Sequence, residues 1–348
     1  MIVDDFRSDT VTRPGEGMRA AMAAAELGDA VYDDCPTTKR LEAMTAERLG
    51  KEAALFFPTG TQANLAGLMA HCERGEEYIV GQMAHTYRLE GGGAAVLGSI
   101  QPQPLPNEPD GTIALDAIAN AIKPNDFHFA MTRLLALENT FNGQVLPDAY
   151  LEAATGLARS RGLATHLDGA RLMNAAAASN RDAAWIAGQF DTVSLCLSKG
   201  LGAPIGSILV GPRDFIAKAR RIRKMLGGGM RQTGVIAAAA IYALEHNVAR
   251  LGEDHRRAAV LAEVLGRFPE LGAGSARTNM VFMSPKRLDT AAFAAFLRER
   301  GIAVSGRYGT LRWVTHLDVG DAAVARVAEA CECFFDGQQM PTASKARA

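Results

Sequence analysis

Between about residues 37 and 211, short apolar runs alternate with stretches whose apolar residues recur every three or four positions. The runs are "AALFF", "EYIVG", "GAAVLG", "RLLALEN", "LATHLD", "TVSLCLS" and "SILVG". Bounded by turn residues, they read as strands buried on both faces. Helical patterns separate several of them, such as "GTQANLAGLMAHC" and "PDAYLEAATGLARSRG". Strands alternating with helices predict an α/β domain with a mainly parallel seven-stranded sheet flanked by helices.

Two long helical patterns follow, "PRDFIAKARRIRKML" and one starting near Thr233. From about 250 to 336 the pattern is helix, strand ("NMVFM"), helix ("DTAAFAAFLRERG"), strand ("LRWVTH"), helix. This predicts a smaller C-terminal α+β domain, with its border in a long helix near 245–252. The division expected is 1–248 for the large domain and 249–336 for the small one, with the segment before about residue 15 able to join the small domain. Residues 337–348 lack periodicity and read as a loose tail.

Composition narrows the function. The 348 residues are 48% hydrophobic, enough for a large core, and the formal net charge of -1 gives no reason to expect nucleic acid or an anionic membrane. The apolar runs are too short for a transmembrane helix, and the acidic start "MIVDDFRSDTVTRPG" is unlike a signal peptide. Five cysteines without a CxxC pair suggest reduced thiols in a cytoplasmic protein and no metal site. Cys196, inside an apolar run, reads as a small core residue.

In open α/β sheets, ligands bind beyond the carboxyl ends of the strands. Four polar features fall there: Thr59-Gly60-Thr61 after "AALFF", His85 after "EYIVG", Asp168 after "LATHL" and Lys199 after "TVSLCLS". A helix start with a glycine suits a phosphate, although a threonine N-cap alone explains Thr59. Asp168 can bind a protonated ring nitrogen or cap the next helix. Arg171 can grip a carboxylate in a bidentate fork or pair with Asp168. Lys199, a hydrated side chain ending an apolar run, either snorkels to water or serves as a nucleophilic amine. Phosphate cup, ring-nitrogen acid and Schiff-base lysine together fit pyridoxal 5′-phosphate. The 31 residues from Asp168 to Lys199 span one βαβ step, which makes the two neighbours. His85 and His128 are either ring-stacking or proton-moving groups, or ordinary loop histidines. Arg312, in the second domain, is either a carboxylate grip or an edge-strand arginine.

With these residues assembled, nearly the whole chain, from about residue 6 to 335, resembles the low-specificity L-threonine aldolases, pyridoxal-phosphate enzymes of the fold type I transferase class. The markers are "RSDTVTRP", "PTGTQANL", "HCERGEEYIVG", "GGAAVLGSIQPQP", "THLDGAR", "CLSKGLGAPIGS", "RKMLGGGMRQ", "HNVARLGEDH" and "RWVTHLD". By that resemblance Lys199 carries the cofactor, Asp168 pairs with its ring nitrogen and His85 stacks on the ring. Gly60 and Thr61 match the phosphate cup, and Ser8, Arg171 and Arg312 match the grip on the substrate carboxylate. Arg231 matches an arginine that reaches a phosphate in a neighbouring subunit, and Tyr32 approaches from a neighbour as well. His128 matches a histidine near the substrate side chain. The resemblance implies a homotetramer with active sites at dimer interfaces.

The implied reaction is reversible cleavage of L-threonine and L-allo-threonine to glycine and acetaldehyde, with His85, His128 or a water as base. Elimination or transamination on the same cofactor is the first alternative, and a non-catalytic cofactor-binding protein is the second. Three positions depart from the family pattern. "VYDDCPT" stands where "VYGDDPT" is usual, so Asp33 replaces a glycine and Cys35 an acid. A glycine there implies positive φ, which aspartate tolerates better than most residues. Arg88 replaces an apolar or aromatic residue beside the expected aldehyde pocket.

Overall fold

A short strand, β1 (Asp4–Asp5), precedes the seven strands of a single sheet: β2 (Ala53–Phe57), β3 (Glu77–Gly81), β4 (Gln101–Leu105), β5 (Thr132–Glu138), β6 (Ala164–Asp168), β7 (Thr192–Cys196) and β8 (Ser207–Gly211). Their spatial order is β2-β8-β7-β6-β5-β3-β4. Only β8 runs against its neighbours, pairing antiparallel with β2 and β7, and the other pairs are parallel. The carboxyl ends of β2, β3, β5, β6 and β7 therefore share one edge. The computed structural model describes residues 3–307 and 309–339.

The sheet belongs to the larger of two compact units, Arg13–Arg250. Strands β3, β7 and β8 are buried along their whole length, which explains their unbroken apolar sequence. The helix Gly60–His71 lays Ala63, Ala66 and Ala70 against Leu55, Phe57 and Leu209 of the sheet. Small side chains let helix and sheet approach closely, and the start of that helix is held at the carboxyl end of β2.

One expected strand is absent. "GAAVLG" opens with a short helix, Gly93–Val96, and the seventh strand is β4, "QPQPL". Alanine has no β-branch to favour a strand, and Gly92 enters the turn at φ 68°. Strand β4 escapes a hydrophobicity reading because it lies at the sheet edge and is half exposed. Its prolines, 102 and 104, fall at alternate positions, so their missing N–H groups face the unpaired side. The ladder begins ahead of them with Gln101 N donating to the Glu76 carbonyl at 2.8 Å, and Gln103 between them stays paired with Ile79.

The single helix expected across 245–252 is two, Gly234–His246 and Leu251–Gly266. At the break Asn247 donates its side-chain amide to the Leu201 carbonyl at 2.8 Å.

The smaller unit consists of the chain up to Thr12 and the residues from Leu251 onward. It holds β9 (Met280–Met283), β10 (Ile302–Ala303), β11 (Ser305–Arg307) and β12 (Thr310–Val314). An antiparallel sheet runs β11-β12-β9, and β1 pairs parallel with β10. The N-terminal segment is tied in by Val314 N donating to the Phe6 carbonyl at 2.9 Å and by the Phe6–Trp313 edge contact at 5.4 Å. The last helix, Asp321–Gln339, runs into the stretch read as a loose tail. Phe334 and Phe335 hold it, packing on Phe293 and Phe268 at 4.9 and 5.2 Å. The rest of that expected tail, 340–348, lies outside the described residues. Among the described residues no helix is long and apolar enough to cross a membrane.

Candidate active site

Asp168 ends β6 and is buried, with Glu138 of β5 beside it on one side and Ser194 of β7 on the other. One of its oxygens, Oδ1, accepts from Ala170 N at 3.0 Å, which turns the chain into the next segment. The other, Oδ2, accepts from Asn64 Nδ2 at 3.0 Å. The same Asn64 nitrogen donates to Glu90 Oε1 at 2.9 Å, and the Asn64 carbonyl accepts from Ser194 Oγ at 2.5 Å.

His85 follows β3 and opens a four-residue helix. Its backbone N–H donates to Glu138 Oε2 at 2.8 Å, and its ring Nδ1 lies 2.8 Å from Glu90 Oε1. A ring nitrogen of His85 and a carboxylate oxygen each of Glu90 and Asp168 fall within 4.8 Å of one another. The hydrogen bond to Glu90 raises the His85 pKa, against burial, with the Asp168 charge adding to the rise. Burial raises Glu90, and Asp168 adds to it. Burial, with Asp168 adjacent, pushes Glu138 up to about 7. Three carboxyl groups thus share one pocket.

Lys199 lies three residues beyond β7, in a turn closed by Gly202 N donating to the Lys199 carbonyl at 2.8 Å. The loop folds back tightly through Gly206, at φ 118°, where a Cβ would stand 2.6 Å from the Phe56 ring. Lys199 is half-buried, and its positive charge acts on His85, Glu138 and Cys196. Among the described residues its ammonium is hydrogen-bonded to no carboxylate. An amine in that position is open to reaction.

Thr59 caps the helix Gly60–His71, its side chain accepting from Gln62 N at 3.1 Å. The N–H groups of Gly60 and Thr61 have no acceptor within the helix and carry its positive end. A Cβ on Gly60 would stand 2.6 Å from Cys196 Sγ, so only glycine fits beside the end of β7. Cys196 is a buried core residue there, as its apolar surroundings implied. Arg171, three residues past Asp168, precedes the helix Leu172–Ser179 at its N-cap position, without a side-chain capping bond.

The remaining predicted residues each lie within one of the two units. In the smaller unit Arg312 Nη2 donates to the Arg7 carbonyl at 3.0 Å, which sets Arg312 next to Ser8. Ser8 caps the short helix Asp9–Val11. In the larger unit Arg231 pairs with Asp29 at 3.1 Å, and its carbonyl accepts from Ala30 N at 3.0 Å. That joins it to the loop carrying Tyr32, whose side chain is exposed. Asp33 adopts φ 57°, the positive φ implied by the glycine it replaces. Cys35 is buried at the start of the helix Pro36–Arg48, and Thr38 donates to its sulfur at 3.1 Å. Arg88 Nη1 lies 2.9 Å from Met83 Sδ.

His128 is in an exposed loop ahead of the amino end of β5, with Nδ1 2.7 Å from Asp126 Oδ1. Within this chain the length of β5, roughly 20 Å, separates that loop from the strand's carboxyl end. The structure does not bring His128 to Asp168 and Lys199.

Asn64, Glu90, Glu138 and Ser194 were not foreseen. Glu138 had the one usable signal, since it too is a polar residue at the end of an apolar run. Asn64 sits in a helix and Ser194 within a strand, where nothing in the pattern marks them.

A family model described as beta-eliminating lyase matches residues 5–287. The low specificity L-threonine aldolase of Escherichia coli K12 is 54% identical over 333 residues, covering 95% of this chain and 99% of that protein. The low-specificity L-threonine aldolase 1 of Arabidopsis thaliana is 43% identical over 324 residues, with 90% of each chain covered. The structure of Leishmania major threonine aldolase matches with a TM-score of 0.80 at 22% identity, over 95% of this chain and 99% of that one, a likeness of fold.

Proposed function

The chain belongs to the beta-eliminating lyase family, alongside the low-specificity L-threonine aldolases, and from that premise we propose that it cleaves L-threonine and L-allo-threonine reversibly to glycine and acetaldehyde. It is a lyase, and the cofactor that suits its site is pyridoxal 5′-phosphate. The single observation that carries this is the placement of Asp168 at the end of β6 and Lys199 just past the end of the adjacent parallel strand β7.

The residues fit the group one by one. Lys199 offers the amine that holds an aldehyde covalently. Asp168, buried and already bonded to Asn64 and Ala170, offers a carboxylate to a protonated ring nitrogen. Gly60 and Thr61 offer the open N–H groups of a helix start to a phosphate. His85 stands beside Asp168, where its ring can stack. When bound, pyridoxal phosphate supplies the electron sink that takes the pair released from the Cα–Cβ bond.

The protein's part is orientation and proton transfer. Arg171, Arg312 and Ser8 take the substrate carboxylate, a role that rests on the family likeness. Holding that end would fix the orientation of the substrate's Cα and so which of its bonds is presented for cleavage. His85 Nε2 accepts the β-hydroxyl proton, because Nδ1 is turned to Glu90. His128, Tyr32 and Arg231 serve the site of a second copy in a cytoplasmic homotetramer with sites at its dimer interfaces. The position of His128 at the far end of β5 supports that assignment.

The test is to supply L-threonine and L-allo-threonine, with and without added cofactor, and to measure glycine and acetaldehyde. 2-Oxobutanoate and ammonia in their place would move the reading to β-elimination. Lys199→Ala is expected to abolish both turnover and the yellow colour of the loaded protein.

A further inference from the structure

Asn64 is an unlikely occupant of its position on packing grounds alone. It lies early in the helix Gly60–His71, whose neighbours Ala63 and Ala66 pack into the sheet, and it is itself buried. Burying an amide is unfavourable unless its donors and acceptor are all used. Here they are: Nδ2 spends its two hydrogens on Asp168 Oδ2 and Glu90 Oε1, and Oδ1 accepts from Ser194 Oγ. The reverse orientation of the amide would turn its oxygen against two carboxyl groups. Asp168 and Glu90 disfavour that orientation because ionised carboxylates only accept, and Ser194, on the strand beside Asp168, completes the set by donating to Oδ1.

We propose that Asn64, fixed by Ser194, is a positioning residue that joins Asp168 and Glu90 into one hydrogen-bonded unit and through Glu90 sets the tautomer of His85. Glu90 Oε1 accepts from Asn64 Nδ2 and faces His85 Nδ1, so Nδ1 carries the imidazole proton and Nε2 is left bare. Glu138 holds the His85 backbone from the other side, which leaves the ring little freedom to turn. This deepens the proposed function and rests on it for its catalytic consequence, but not for the tautomer.

The test uses the cofactor-free protein labelled with 15N-histidine, the His85 signals being assigned by their loss in His85→Asn. At a pH where the imidazole is neutral, the wild type is expected to show Nδ1 protonated and Nε2 bare. Asn64→Ala and Ser194→Ala are expected to show both tautomers in exchange. In the loaded enzyme both are expected to lower kcat about ten- to a hundredfold while leaving KM for threonine nearly unchanged, as outer-shell partners of reacting groups do. A wild type with Nε2 protonated overturns the proposal without any variant. So does a wild-type tautomer or an unchanged kcat in a folded Ser194→Ala, which removes one oxygen and serves if Asn64→Ala fails to fold. A wild type that releases no glycine would sink the functional reading while leaving the tautomer result to stand.

Discussion

His85 Nδ1 lies 2.8 Å from Glu90 Oε1, and Glu90 is the largest influence on the basicity of that imidazole. The bond raises the His85 pKa, so the neutral, proton-accepting form prevails only above a pH higher than an ordinary histidine's. Cleavage is therefore expected to rise with pH through that value. Glu90→Gln removes the charge that raises it, and the acid limb of kcat/KM should move to lower pH. A limb that stays in place in Glu90→Gln would show that another group sets it.

Gly60 predicts a steric effect on cofactor affinity. A Cβ at this position would meet Cys196 Sγ at 2.6 Å, so something must shift, and the sulfur is buried at the end of β7. Gly60→Ala should push the helix start away from the sheet edge, at a cost of about 1–3 kcal/mol in stability. Pyridoxal phosphate should then bind more weakly by titration. Gly60→Ala with Cys196→Ala should recover most of both losses, since the second change removes the obstructing atom. Failure to recover would place the fault in the glycine's backbone rather than in crowding.

Asp33 predicts a gain rather than a loss. Its φ of 57° is strained for a residue with a Cβ, although less for aspartate than for most. Its ion pair with Lys39, at 3.4 Å, joins two exposed groups and contributes little. Asp33→Gly should therefore leave stability unchanged or raise it by up to about 1 kcal/mol, and Asp33→Val should lower it by more. Thermal melts of the two variants decide the matter. A lower melting temperature for Asp33→Gly than for the parent would show that the aspartate side chain stabilises the loop.

Asp168, Lys199 and His85 were legible in the sequence for one reason: each is a polar residue just where an apolar run stops. Ends of buried strands are marked by that change alone. The residues that support them carry no such mark. Asn64 and Glu90 meet only because a helix and a loop after β3 come together over the sheet edge, and the pairing depends on packing across 26 positions of chain. Strand β4 was missed for the opposite reason, since an edge strand needs no apolar run and tolerates the prolines that read as a break. His128 was legible as a residue of interest, but its distance from the site in this chain depends on which end of β5 it precedes.

Beneath the site, His71 and His166 share a hydroxyl: Thr192 Oγ1 lies 2.7 Å from His71 Nε2 and 2.9 Å from His166 Nδ1. Burial lowers the His71 pKa to about 4, with Lys218 adding to it, and burial with His71 beside it lowers His166 to about 3. Both are uncharged in the folded protein at neutral pH, whereas in the unfolded chain each titrates near 6.5. Below 6.5 the unfolded chain therefore binds more protons than the folded one, and stability falls as the pH falls. Their contribution is complete above about pH 6.5 and is lost progressively toward pH 4 and pH 3. Each histidine adds about 1.4 kcal/mol of lost stability per pH unit within its window. Urea unfolding of the cofactor-free protein between pH 7 and pH 4.5 should show that slope on top of the carboxylate background. His71→Gln keeps a polar group near Thr192 but does not titrate, so its stability should fall less steeply over the same interval, even if it starts lower. An equal slope in the variant and the parent would mean that His71 stays protonated or reaches water, and that the carboxylates alone carry the acid sensitivity.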